Sequence, residues 1–144
     1  MTQEEKFLLL QDLCARLPYG VNGLAYIVRE PCNTNTNIVG IINESIVTNY
    51  ESPMLYIIDL DSKDITIKPY LRPMSSMTEE EKVQLSQYAC IGEDLNGEFI
   101  DEVQRKDCVA YIDWLNKNHF DYRGLIKKGL ALEAPEGMYN IKEQ

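Results

Sequence analysis

Apolar residues recur at helical spacing at the start of the chain. Phe7, Leu10, Cys14 and Leu17 fall on one stripe with Leu13 beside them, the spacing of an amphipathic helix. Ahead of them Thr2-x-x-Glu5 is a capping box. Its hydroxyl accepts from the backbone three residues on, while the glutamate reaches back to the cap. Pro18 disfavours helical geometry at Leu17, and Tyr19-Gly20 completes the exit. The pattern predicts a helix over residues 3–16.

From residue 20 to 70 the pattern changes to strands. Leu24-Ala25-Tyr26-Ile27-Val28 is apolar and β-favouring and stops at Glu30-Pro31. Asn33-Thr34-Asn35-Thr36-Asn37 reads as a polar loop held in turns by its side chains. Ile38–Ile42 reads as a second strand and Met54–Leu60 as a third, with 43–52 open between an extension and another strand. Asp61-Ser62-Lys63-Asp64 reads as a hairpin loop into the alternating strand Ile65-Thr66-Ile67-Lys68. Pro69 lacks a ladder donor and suits the end of an edge strand.

A second capping box, Thr78-x-x-Glu81, opens a short helix whose apolar residues are Val83, Leu85 and Tyr88. Gly92 and Asn96-Gly97 mark a loop or small hairpin over 89–99. A longer helix is expected over 100–117, with Cys108, Tyr111, Ile112 and Leu115 inward. Asp121 suits the cap of a short last helix over 123–128, with Gly129 as its C′ residue. Short links make neighbouring strands antiparallel, and segregated strands and helices define an α+β class. The expectation is one α+β domain over 1–144: an N-terminal helix, an antiparallel sheet of three to five strands, and C-terminal helices packed on one sheet face.

Charge narrows the function. Lys and Arg number 14 against 23 Asp and Glu, a formal charge of −9. A phosphate-backbone binder draws its affinity from Lys and Arg, and an anionic membrane surface attracts the same residues, so neither nucleic acid nor membrane is an expected partner. The acidic start and the brief run Phe7-Leu8-Leu9-Leu10 do not resemble a secretory signal, and the expected location is cytoplasmic. There thiols stay reduced. Cys14, Cys32, Cys90 and Cys108 show no zinc-ribbon spacing, and Cys14 and Cys108 read as small buried hydrophobes on helix faces.

The candidate chemistry is sparse. Asp59, Asp61 and Asp64 form the tightest carboxylate cluster. They would suit an oxygen-ligated cation, although turns favour Asp on their own account. The run Glu79-Glu80-Glu81 belongs in a helix's first turn, where the dipole favours negative charge. Across 79–107 nine acids meet three bases, an acidic strip that reads first as a solvated face and second as a phosphate mimic. Residues 113–123 hold the only Trp, the only His, a Phe, a Tyr and an Arg. Trp, Tyr and Arg dominate binding hot spots, so Trp114, His119, Tyr122 and Arg123 form the candidate interaction surface; the simpler reading packs the corner onto the sheet. Lys117, Arg123, Lys127 and Lys128 against Asp121 make a small basic patch. A cysteine nucleophile would have His119 as its sole candidate base. No nucleotide-binding glycine loop, zinc-protease motif or nucleophile elbow occurs, and no cofactor is expected.

Three stretches carry a resemblance: Leu13-Cys-Ala-Arg-Leu-Pro-Tyr-Gly-Val21, Lys68-Pro-Tyr-Leu-Arg-Pro-Met-Ser-Ser-Met-Thr-Glu-Glu-Glu-Lys82, and 113–140 with His119-Phe-Asp-Tyr-Arg-Gly-Leu-Ile-Lys-Lys-Gly-Leu-Ala-Leu-Glu-Ala-Pro-Glu-Gly-Met-Tyr139. The chain resembles uncharacterised small proteins of phages and prophages of gut Bacteroides. The resemblance implies a mobile-element protein working inside a bacterial cell and assigns no residue a role. The functional expectation is a non-enzymatic protein-interaction module for a host or phage protein. The alternatives are a homo-oligomeric structural or accessory protein and a carboxylate-metal enzyme at Asp59, Asp61 and Asp64.

Overall fold

A computed structural model describes residues 1–51, 54–88 and 105–139. The chain opens with helix α1 (Gln3–Arg16), followed by a 3-10 turn over Leu17–Tyr19. Five strands come next: β1 (Val21–Ile27), β2 (Cys32–Ile42), β3 (Ser45–Glu51), β4 (Met54–Asp59) and β5 (Ile65–Leu71). Helices α2 (Glu79–Ser86) and α3 (Arg105–Lys117) and a two-residue strand β6 (Leu132–Glu133) complete the order. The class is α+β, with a six-stranded mixed sheet in the order β4-β3-β2-β1-β5-β6. The expected three to five antiparallel strands are thus corrected to six. The five long strands pair antiparallel, while β6 joins β5 in parallel at Tyr70 and Leu71.

α1 begins as its sequence dictates, with both halves of the Thr2–Glu5 capping box made at 3.0 and 3.1 Å. Its buried face is a different one from the apolar stripe. Lys6, Leu9, Asp12, Leu13 and Arg16 turn inward, while Phe7 is 67% exposed and Cys14 is exposed. Leu9 and Leu13 go into the core, and the three charged residues follow because each finds an opposite charge or a carbonyl. Cys108 is also exposed, so neither helix cysteine is the buried hydrophobe expected of it.

The polar run 33–37 is strand rather than loop. It pairs along 22–26 of β1, with Thr36 buried and Asn33, Asn35 and Asn37 exposed. Cross-strand partners overrode the turn propensity of Asn. Ser45–Glu51, ambiguous in sequence, is the strand between β2 and β4. It turns from β2 through Asn43 and Glu44, both at positive φ (47° and 65°), as a two-residue type I′ turn requires. Gly23 lets β1 pass close to its neighbours: a Cβ there would stand 3.1 Å from Ile38 and 3.2 Å from the Lys68 carbonyl.

β4 and β5 are not hydrogen-bonded neighbours, so residues 61–64 form a connection and no hairpin. This link joins strands at opposite ends of the five-stranded run, where they approach each other. The sheet therefore curls so that its two ends approach at this link. The core inside it gathers Val21, Ala25, Ile38, Ile46, Ile58, Ile67 and Leu71 with Leu9 and Leu13 of α1 and with Leu125, Leu130 and Ala131.

The C-terminal helices do not cover the sheet as expected. Leu85 of α2 and Trp114 and Leu115 of α3 share a second cluster with Phe120. On α3 the inward residues are Trp114, Leu115 and Asn116, whereas Cys108 and Ile112 are exposed. The last short helix is absent. Residues 125–129 form turns, although both helix-end signals operate: Asp121 accepts from the backbone of Leu125 (2.8 Å) and Ile126 (3.0 Å), and Gly129 has φ +75°. The loop expected over 89–99, the first turn of the helix expected from residue 100 and most of the acidic strip lie outside the described residues. No described helix is long and apolar enough to cross a membrane.

Candidate functional site

The corner after α3 is built by a helix-ending motif. Phe120 donates its backbone N–H to Leu115 (3.0 Å) and His119 donates to Asn116 (3.1 Å), the crossed pair that makes a Schellman end. The C′ position of that motif demands a left-handed backbone and usually takes glycine. Here it is His119, at φ +64°. The following residues clasp β5: Arg72 donates its backbone N–H to the His119 carbonyl (2.7 Å), and Asp121 donates to the Arg72 carbonyl (2.8 Å).

Two arginines fill the space behind this corner. Arg16 and Asp12 are wholly buried, and the guanidinium meets the carboxylate through Nε (2.7 Å) and Nη2 (3.1 Å) and also donates to the Phe120 carbonyl. Arg123 Nε stands 3.3 Å from the same carboxylate, an ion pair without hydrogen-bond alignment. The ring of Tyr122 has the Arg16 and Arg123 guanidinium carbons each 5.2 Å from its centroid. Arg72 holds Glu81 with two bonds of 2.8 Å and lies 4.1 Å over the Phe120 ring, which also stacks on Trp114. Burial alone would raise the Glu81 carboxyl, but Arg72 and the Thr78 backbone N–H outweigh it and hold it below the usual range.

The four residues singled out in the sequence meet around Phe120 without sharing a surface. Trp114 and His119 are buried, and Tyr122 and Arg123 are half-buried. Arg123 is committed to Asp12, while Lys117, Lys127 and Lys128 remain exposed. The arrangement matches the simpler reading of the corner as packing. Sequence reasoning missed Asp12, Arg16, Arg72 and Glu81. The i,i+4 spacing of Asp12 and Arg16 was a visible signal; nothing local announced Arg72 with Glu81.

His119 faces a cleft of about 550 Å³ between the 3-10 turn, the start of β1 and the asparagines of β2 and β3. Its ring stacks on Tyr139, with centroids 3.6 Å apart. The Tyr139 hydroxyl accepts from the Asn22 backbone (3.1 Å) and donates to the Tyr70 carbonyl (2.7 Å). Burial, followed by the positive charges of Arg16 and Arg72, pushes His119 down to about 4. Burial raises the Tyr139 phenol to about 12.

The carboxylates of the β4–β5 link are engaged locally. Asp59 accepts from the Asp61 backbone (2.9 Å), Asp61 pairs with Lys6, and Asp64 stands 3.7 Å from Arg29. Among the described residues no group of three or more His, Cys, Asp or Glu is disposed to hold a metal ion. The bond with Asp61 is the main cause that raises the Lys6 pKa, with Glu44 and Asp59 adding their charge. These three acids therefore crowd one end of β4.

β4 itself ends the strand order. Met54 is 67% exposed, Leu55 63% and Ile57 58%, and Ile42, also exposed, stands on the sheet face of Leu55 and Ile57. No charged residue occurs from Met54 to Ile58. No protein-family model, curated protein or solved structure matches this chain.

Proposed function

We propose that the protein is a non-enzymatic protein-interaction module that takes an extended segment of another protein along the free side of β4. The observation that carries this reading is an end strand with three exposed apolar side chains and no internal charge. Monomeric proteins blunt such strands with lysine or proline within them, whereas strand addition uses the backbone for affinity and alternate side chains for specificity. Charge selects the occupant. Glu44, Asp59 and Asp61 frame one end of β4, so the segment that fits is apolar with a basic end. A second copy would bring its own acids and another −9 of net charge. In the mobile-element setting that the resemblance implies, the segment belongs to a host or phage protein.

Fluorescence anisotropy with a labelled peptide of alternating β-branched residues and a lysine-rich end tests this. Binding should weaken with salt and fall at least about tenfold, about 1.4 kcal/mol, in Ile57→Lys, with unchanged circular dichroism. Equal binding by a glutamate-ended peptide, or by Ile57→Lys, would refute it. A stable dimer in sedimentation that Ile57→Lys dissolves would make the second copy the occupant and overturn the hetero-partner reading.

A further inference from the structure

The cleft beside His119 lies away from β4 and has a chemistry of its own. Its volume of about 550 Å³ falls in the range of small-ligand sites, roughly 300–1,000 Å³. In a chain with 23 acidic residues, no Asp or Glu is among the described residues that line it, and Lys117 is the one charged residue there. That ammonium has no ion-pair partner among the described residues. Asn22, Asn37 and Asn49 line the same wall. Asn49 uses only its carbonyl oxygen, accepting from the Asn37 backbone at 3.1 Å, and leaves its amide N–H groups to donate. The side chains of Asn22 and Asn37 make no hydrogen bond to another described residue.

His119 supplies the independent sign of a ligand. The residue is 4% exposed, and its Nδ1 is buried with no hydrogen-bond partner. Nε2 makes no hydrogen bond to another described residue either, which leaves the ring at the cleft wall with a nitrogen free for a ligand. Stacking on Tyr139, itself anchored to β1 and β5, holds the ring at the cleft wall. A neutral imidazole exchanges a hydrogen bond with a hydroxyl, as carboxamides do, while a lysine ammonium without competing acids selects an anionic group.

We propose that this cleft binds a small polyhydroxylated carboxylate, a sugar acid, with its carboxylate on Lys117 and its hydroxyls on the asparagine amides and His119. Tyr19, partly exposed at the cleft, offers an aromatic face to the C–H side of such a ligand.

An NMR titration with gluconate and glucuronate tests the site, with glucose and inorganic phosphate as controls. Both sugar acids should give saturable shifts at the Asn22, Asn37 and Asn49 side-chain amides and the His119 ring. Lys117→Gln should weaken binding about tenfold and Asn37→Ala severalfold. Both residues are exposed, so the folded spectrum should persist, and Ile57→Lys should leave the titration unchanged. Absence of saturable shifts with both sugar acids would overturn the proposal. So would glucose binding as tightly as gluconate, or an unaltered affinity in Lys117→Gln. Phosphate reproducing the full affinity with Asn37→Ala silent would mark an anion on Lys117 only, and would also overturn it.

Discussion

At His119 a backbone demand and a side-chain environment collide. The Schellman end of α3 needs a left-handed residue, and histidine is among the few non-glycine types that enter that region at modest cost. The ring it carries is buried beside Arg16 and Arg72 and is held neutral, with its pKa near 4 against an ordinary 6.5. Between those two values the unfolded chain binds the proton and the folded chain does not, so stability rises with pH across the window and is lost as pH falls from 6.5 to about 4. A full shift of that size corresponds to about 3 kcal/mol. His119→Asn keeps a residue that tolerates φ +64° and removes the titration. Urea unfolding at neutral pH and near pH 4.5 should show a smaller acid loss in the variant than in the parent. Equal losses would assign the acid sensitivity elsewhere, Glu81 being the first alternative because its lowered carboxyl also loses stability on acidification. The sequence marked His119 as the single histidine; its place at C′ carried no signal, because no glycine stands there.

Local chemistry explains where elements begin and turn. The capping boxes at Thr2–Glu5 and Thr78–Glu81 are both made, and each is a contact of three residues' reach. The β2–β3 turn is local as well, but Asn43-Glu44 puts a glutamate where φ is +65° and glycine is preferred. Glu44→Gly should stabilise the protein by roughly 0.5–1 kcal/mol, the left-handed strain relieved exceeding the added freedom of the unfolded chain. A lower denaturation midpoint in Glu44→Gly would contradict this account. The element-scale misreadings share a cause. The apolar stripe of α1 through Phe7 and Cys14 lost to a face containing Lys6, Asp12 and Arg16, because ion pairs with distant elements made those charges burial-competent. Residues 33–37 became strand because β1 lay beside them.

Across the molecule, one buried network ties α1 to the corner after α3, and a second ties the β5 end to α2. Asp12 neutralises Arg16 with both groups at 0% exposure. Removing one member of such a pair strands a buried charge at a cost of about 3–5 kcal/mol, a large share of a total stability of about 5–15 kcal/mol. Asp12→Ala should therefore lower the urea midpoint severely. Glu79→Gln, which breaks the exposed pair with Lys82, should cost at most about 0.5 kcal/mol. Similar losses in the two variants would show that Arg16 is compensated some other way. The same network accounts for the burial of the corner residues: Trp114 and His119 are drawn inside by Phe120, Arg72 and Tyr139.

By itself the sequence determined the class, the starts of α1 and α2, four of the strands, the turn chemistry of Asp59–Asp64 and the net charge of −9. These follow from interactions between residues a few positions apart, or from composition, which needs no geometry. Tertiary structure alone decided which face of α1 is buried, that β5 pairs with β1 and leaves β4 at the end of the sheet, and that Arg16, Arg72 and Tyr139 converge on His119. Each of these depends on a partner tens of residues away, and the free energy that selects it exists only once both sides have left water.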